Sequence, residues 1–207
     1  MIVLADKIRK RIRGHGRGNW VCSAKDFLDL GSRAAVDQAL SRLHRRGILR
    51  RVRRGLYDWP RPSRALNRLA PINVPAAVAA MARRDGVRMM PNGIVAAHRL
   101  GLTNAVPAKA EYWTDGPTRT VQLGPRTVRL KHMRPNLMHW ADRPAAPVVS
   151  ALAWLGPSIA ANPATVDRLR RQLPDSVKQD LIAGKAQLPT WAIPIAQQIQ
   201  TSVGMAA

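Results

Sequence analysis

"GSRAAVDQALSRLHRRGILRRVRRGLYDWP", residues 31–60, carries eight arginines between two glycine-bounded turns. Ser32 stands where a helix N-cap belongs. Val36, Ala39, Leu40 and Leu43 then recur at helical spacing as one narrow apolar stripe. Ala34, Asp37, Gln38, Ser41 and Arg45 lie opposite it, with Arg33 and Arg42 flanking. Gly47 ends the helix just after Arg46. "ILRRVRRGLYDW" follows as two short strands, with Ile48, Leu49, Val52, Leu56 and Tyr57 apolar and "RRG" as their turn.

Working back towards the N-terminus, Ile2 to Arg13 reads as a helix with Leu4, Ile8 and Ile12 on one face. "GHGRGN" ends it, and "WVC" suits a short strand. Ser23 and Asp26 form a near-capping box for a second short helix, "AKDFLDL", which Gly31 closes. Helix, strand, helix, tight turn, helix, β-hairpin is the order of a winged helix-turn-helix. In that motif the last helix enters the major groove and the hairpin lies along phosphates.

The residue types suit that placement. Ala34 and Ser41 let the backbone approach a duplex, while Gln38, Arg42 and Arg33 can pair bidentately with adenine or guanine. Asp37 can accept from a cytosine amino group, or pair with Arg33. Arg50, Arg51, Arg53 and Arg54 are spaced to neutralise backbone phosphates. The expected DNA-contacting set is therefore Ser32, Arg33, Asp37, Gln38, Ser41, Arg42, Arg45, Arg46, Arg50, Arg51, Arg53 and Arg54. A solvated basic helix followed by a basic loop is the alternative, and it leaves the order of the charges unexplained.

Charge supports a polyanionic partner. The chain has 207 residues, with 34 Lys+Arg against 12 Asp+Glu and a net charge of +22. That field attracts nucleic acid or an anionic membrane surface. No apolar run is long enough to span a bilayer, and the start "MIVLADKIRKRIRG" is too charged for a signal peptide. The expectation is a cytoplasmic protein without a membrane partner. The single cysteine, Cys22, excludes an intramolecular disulfide, and a small buried residue is its simplest role.

Enzyme chemistry finds little support. The five histidines include no pair at i, i+4 and no H-E-x-x-H arrangement. Seven acidic residues follow residue 64, and no two sit one or two positions apart as a metal-dependent nuclease or nucleotidyltransferase would need. Asp115 in "TDGP" is explained by turn chemistry. No catalytic residue, metal or cofactor is expected.

The run "SAKDFLDLGSRAAVDQALSRLHRRGILRRVRRGLYDWP" resembles the N-terminal module of AbiEi-type antitoxins, the antitoxin half of bacterial type IV toxin–antitoxin systems. "AKAEYWTDGPTRTVQLGPRTVRLKH" resembles the second domain of that family, so the likeness covers roughly residues 1 to 135. It implies a winged-helix autorepressor acting at promoter inverted repeats, with two protomers on the DNA. It also implies a C-terminal domain that counteracts a nucleotidyltransferase-like toxin. The residues to which this carries over are the helix Ser32 to Arg46 and the hairpin Leu49 to Tyr57.

Past the hairpin, "WPRPSRALNRLAPINVP" reads as an extended linker. Pro75 to Arg84 is an alanine-rich helix, "GVRMMP" a strand and "NGIVAAHRLGL" a helix. "KAEYWTDG" is a strand, and Val121 and Leu123 face Val128 and Leu130 across a hairpin. The chain is helical after Pro144, with helices at Asn162-Pro163, "PDSVKQDLIAG" and "TWAIPIAQQIQ"; Pro194 requires the first turn of the last.

The expected architecture is α+β. A winged helix-turn-helix at 1–60 is joined by a linker at 61–73 to a mixed domain at 74–207 that ends in helices. The expected function is a DNA-binding autorepressor and antitoxin with double-stranded DNA as its partner. Two alternatives remain: an RNA-associated or toxin-binding protein that uses its basic C-terminal region, with tRNA a candidate partner, and a solitary DNA-binding regulator. Residues 65–207 carry 17 basic and 7 acidic side chains, which is the basis of the first alternative.

Overall fold

A computed structural model describes residues 4–107 and 109–201. The architecture is mixed α+β, and the chain divides into two compact units, Met1–Val87 with Val121–Thr127, and Arg88–Thr120 with Val128–Ala207. The predicted helix start at Ile2 lies outside the described residues.

The first unit opens with α1 (Leu4–Gly14), β1 (Val21–Cys22) and a 3-10 turn, Ala24–Phe27. That turn is shorter than the helix expected over "AKDFLDL". Asp26 accepts from the Ser23 N–H at 2.8 Å and from its hydroxyl at 3.1 Å, so the near-capping box is present. α2 (Arg33–Arg45) follows, with the Ser32 hydroxyl accepting from Ala35 N at 3.4 Å. β2 (Arg50–Arg53) and β3 (Leu56–Asp58) complete an antiparallel sheet in the order β1-β3-β2.

Periodicity explains the core of this unit. Ile8 and Ile12 of α1, Val36, Leu40 and Leu43 of α2, Phe27 and Tyr57 are buried in one cluster. Burying each large side chain contributes about 1.5–3 kcal/mol, which fixes α2 by its apolar stripe alone. Its remaining faces are left to solvent.

Two features depart from the expected division into 1–60, 61–73 and 74–207. Within the stretch read as linker, β4 (Pro62–Ser63) and β5 (Arg68–Leu69) pair as a short ribbon. The next helix, α3 (Val74–Asp85), is part of the first unit. Arg83 reaches from it to Asp26 Oδ1 and Val21 O, both at 2.9 Å, across about sixty residues of chain that sequence spacing does not reveal.

The second unit contains β6 (Met89–Pro91), α4 (Gly93–Arg99) and β7 (Ala110–Thr114). β8 (Arg119–Leu123) and β9 (Arg126–His132) form the expected hairpin, whose tip, residues 121–127, groups with the first unit. The sheet order is β6-β7-β9-β8, with β7 parallel to β9 in the register Ala110↔Val128 to Thr114↔His132. Val121, Leu123, Val128 and Leu130 are all buried, as their alternation requires.

Helices make up the rest: α5 (Pro135–Met138), α6 (Ala146–Ala160), α7 (Pro163–Gln172), α8 (Asp175–Ala183) and α9 (Ala192–Gln200). Pro194 occupies the first turn of α9, where its missing N–H breaks no bond. α6 kinks at Gly156 (φ 74°, ψ 170°), ahead of Pro157. α4 and α6 meet through Ala96, Ala97 and Ala151. A Cβ on Gly93 would come within 2.3 Å of Ser150 O, so that contact depends on glycine. Among the described residues no helix is long and apolar enough to cross a membrane.

Candidate nucleic-acid interface

α2 turns its apolar stripe inwards and presents Arg33, Ala34, Asp37, Gln38, Arg42 and Arg45 to solvent, with Ser41 half-buried. Its C-terminal end is tied to the hairpin. Ile48 N and Leu49 N both donate to Leu43 O, and the His44 ring lies 3.1 Å from Leu49 O through Nδ1. Arg45 and Arg46 are exposed at this end, where cations also favour the helix dipole.

The predicted contact residues fall into distinct groups. Gln38 and Arg42, one turn apart, are exposed. Arg33 Nε donates to Asp37 Oδ2 at 2.8 Å, so of the two roles open to Asp37 the structure shows the ion pair. Both partners are well exposed, and such an i, i+4 pair contributes only about 0.3–0.5 kcal/mol, which a base edge can readily displace. Ser32 is committed to its cap.

The hairpin arginines separate more sharply. Arg51 and Arg54 are exposed, with Arg54 in the two-residue turn beside Gly55. Arg50 points inwards instead. Its Nε and Nη2 donate to the Asp58 carboxylate at 3.0 and 2.5 Å, and its Nη1 donates to Ala70 O at 2.8 Å. Asp58 is 1% exposed and stands directly across from Arg50 in the β2–β3 register. Arg50 is therefore a structural member of the sheet, and its guanidinium is occupied. Arg53 is half-buried, and its Nη1 is buried without a hydrogen-bond partner.

Among the described residues, no carboxylate lies within 4 Å of Arg42, Arg45, Arg46, Arg51 or Arg54. Five uncompensated guanidiniums and one exposed glutamine, spread over α2 and the hairpin, can meet phosphates and base edges.

Further basic residues lie outside the expected contact set. Arg61, Arg64 and Arg68 are exposed on or beside the β4–β5 ribbon, and Arg13 and Arg17 lie over the Trp59 ring at 5.8 and 4.5 Å. One signal was available in the sequence: no acidic residue occurs between Asp58 and Asp85.

Cys22 is fully buried, and burial, reinforced by the Asp26 and Asp58 charges, pushes its thiol well above the usual range. It packs with Sγ 3.4 Å from Tyr57 O. Among the described residues no three His, Cys, Asp or Glu side chains gather where they could hold a metal ion.

The second unit carries a cavity of about 490 Å³ floored by Val149, Leu152 and Leu188 and rimmed by Lys131, His132 and Arg134.

A family model described as "Family of unknown function (DUF6088)" matches residues 7–180. No curated protein matches the chain. The crystal structure of the RV2827C protein from Mycobacterium tuberculosis is similar at a TM-score of 0.39 and 17% identity, over 98% of this chain and 84% of that one.

Proposed function

We propose that this protein, which belongs to the DUF6088 family of unknown function, is a sequence-specific DNA-binding regulator whose first unit works as a winged helix-turn-helix. The observation that carries the reading is α2. Its apolar stripe is buried, Gln38 and Arg42 are exposed one turn apart, and the adjoining hairpin presents Arg51 and Arg54. α1, β1, a 3-10 turn, α2 and the β2–β3 hairpin follow in the order of that motif, with the 3-10 turn in place of its second helix. In this reading α2 lies in the major groove and the hairpin against phosphates. Arg42 reads guanine and Gln38 reads adenine.

Within that reading, the narrower role is an autorepressor that acts on inverted repeats in its own promoter as the antitoxin of a type IV pair, as the AbiEi resemblance implies. Gel shifts with DNA from upstream of its own gene, competed by scrambled duplex of equal composition, test DNA recognition. Preference for the upstream DNA supports it, and equal competition by the two duplexes removes it. Growth rescue in cells expressing a neighbouring nucleotidyltransferase-like protein tests the antitoxin role separately.

A second reading takes the second unit as the working surface, and the basic rim of its 490 Å³ cavity is the observation that favours it. Co-purification of tRNA with the full chain, persisting when Arg42 and Arg51 are replaced, would select this reading.

A further inference from the structure

The proline-rich stretch after the hairpin does more than connect. Ala70 N–H donates to Arg61 O at 2.7 Å to close the base of the β4–β5 ribbon. Its tip is the turn Arg64 to Asn67, with Asn67 at φ 44°. Arg50, through Ala70 O, fastens that base to β2 with the same guanidinium that neutralises Asp58. The ribbon is thus held beside the hairpin by its backbone, and its side chains are left to solvent.

Beside β2 and the ribbon lies a recess of about 270 Å³. Arg51 of β2, Arg68 of β5 and Arg126 of the 121–127 turn line it, together with apolar Leu69, Pro71 and Ile72. No acidic residue lines it, and among the described residues none of the three arginines has a carboxylate within 4 Å. The 121–127 turn that carries Arg126 is anchored at Gly124. The Gly124 N–H donates to Val52 O at 3.1 Å, its φ is 56°, and a Cβ there would come within 2.5 Å of Ile72 Cδ1. A side chain at 124 would have to displace that contact.

Three guanidiniums from three separate segments around one concavity repel one another, and their low-dielectric walls focus the field on the space between them. An anion relieves that repulsion. The planar fork of arginine matches the paired oxygens of a phosphate, and apolar Leu69, Pro71 and Ile72 can pack against deoxyribose carbons. We infer that this recess grips the sugar–phosphate backbone of the duplex that α2 reads, as a positioning site separate from α2. The inference rests on the DNA-binding reading above. Contacts of this kind set register and affinity and carry no sequence information.

The test is a fluorescence-anisotropy titration of the full chain against upstream and scrambled duplexes between 50 and 200 mM salt. Wild type is compared with Arg68→Ala/Arg126→Ala and with Arg42→Ala. Both ribbon-side arginines are exposed, and thermal melts confirm that the double variant folds. Each lost phosphate contact flattens the salt slope by about 0.9, so two flatten it by about 1.8. Over the fourfold salt range the double variant should then lose about twelvefold less affinity than wild type, for both duplexes alike.

A double variant with the wild-type slope, in a protein whose binding still depends on Arg42, overturns the recess and leaves the DNA-binding reading standing. Failure of the wild type to bind either duplex overturns both. Inorganic phosphate supplies the remaining arm. If it raises the melting temperature of wild type but not of the double variant, while the duplex slopes stay equal, the recess takes free anions and the backbone assignment falls.

Discussion

Replacing Arg50 and Arg51 by alanine, one at a time, separates two adjacent guanidiniums to which sequence alone gives a single role. Asp58 is 1% exposed, and both its carboxylate oxygens accept from Arg50. Alanine at 50 leaves that buried charge without its partner and also frees Ala70 O. Removing one member of a buried pair costs about 3–5 kcal/mol. The Arg50 side chain is itself 21% exposed, so water reaches the gap and the lower end, about 3 kcal/mol, applies. At about 2–4 °C per kcal/mol for a chain of this size, Arg50→Ala should melt about 6–12 °C below wild type. Arg51→Ala alters an exposed residue and should stay within about 0.5 kcal/mol. In DNA titrations Arg51→Ala should instead flatten the salt slope by about one. Replacing the whole pair, Arg50→Met with Asp58→Leu, should recover most of the stability, because an apolar pair of similar volume leaves no charge stranded. Circular-dichroism melts of the four proteins decide the matter. An Arg50→Ala protein that melts with wild type but binds DNA as weakly as Arg51→Ala would refute the structural role assigned to Arg50.

Three further outcomes are expected. Gly93→Ala should destabilise the second unit by about 1–3 kcal/mol through overpacking of α4 on α6, and unchanged urea unfolding would contradict the close approach at Ser150 O. Cys22 should resist Ellman's reagent in the native protein and release one equivalent after denaturation; rapid native labelling would show that the thiol is not sealed in the core. Burial raises the Asp180 carboxyl, but hydrogen bonds from Arg143 and Ala145 outweigh it and leave it below the usual carboxylate range. A lowered folded value means stability that is present above the ordinary aspartate range and lost as pH falls through the folded value. The melting-temperature gap between wild type and Arg143→Gln should therefore narrow as pH falls below the ordinary aspartate range, and a gap that widens on acidification would be inconsistent with this linkage.

Features written in local period were legible in the sequence. The α2 stripe, the Ser32 cap, the β2–β3 and β8–β9 hairpins and the first-turn position of Pro194 follow from spacing and turn chemistry over a few residues. Features set by long-range register were not. The runs "ILRRVRRG" and "LYDW" do not tell which arginine faces Asp58, because a one-residue slip in strand pairing moves every side chain to the opposite face. The inclusion of α3 in the first unit brings Arg83 to Asp26 across 57 residues, and the parallel pairing of β7 with β9 skips over β8. The prolines at 60 and 62 read as a linker because proline donates no ladder hydrogen bond, yet a two-residue ribbon needs few such bonds. Arg51 belongs to the expected contact set, but Arg68 and Arg126 do not, because the three meet only in three dimensions.

In the proposed complex, α2 reads bases while the surrounding arginines hold the backbone. Its most direct test is the ratio of affinities for upstream and scrambled duplex, measured at fixed salt for wild type, Gln38→Ala and Arg42→Ala. Each substitution should lower the ratio by about 1–3 kcal/mol, roughly 5- to 150-fold, with the Gln38→Ala salt slope left at the wild-type value. A wild-type ratio of one, or a ratio that neither substitution changes, would contradict it.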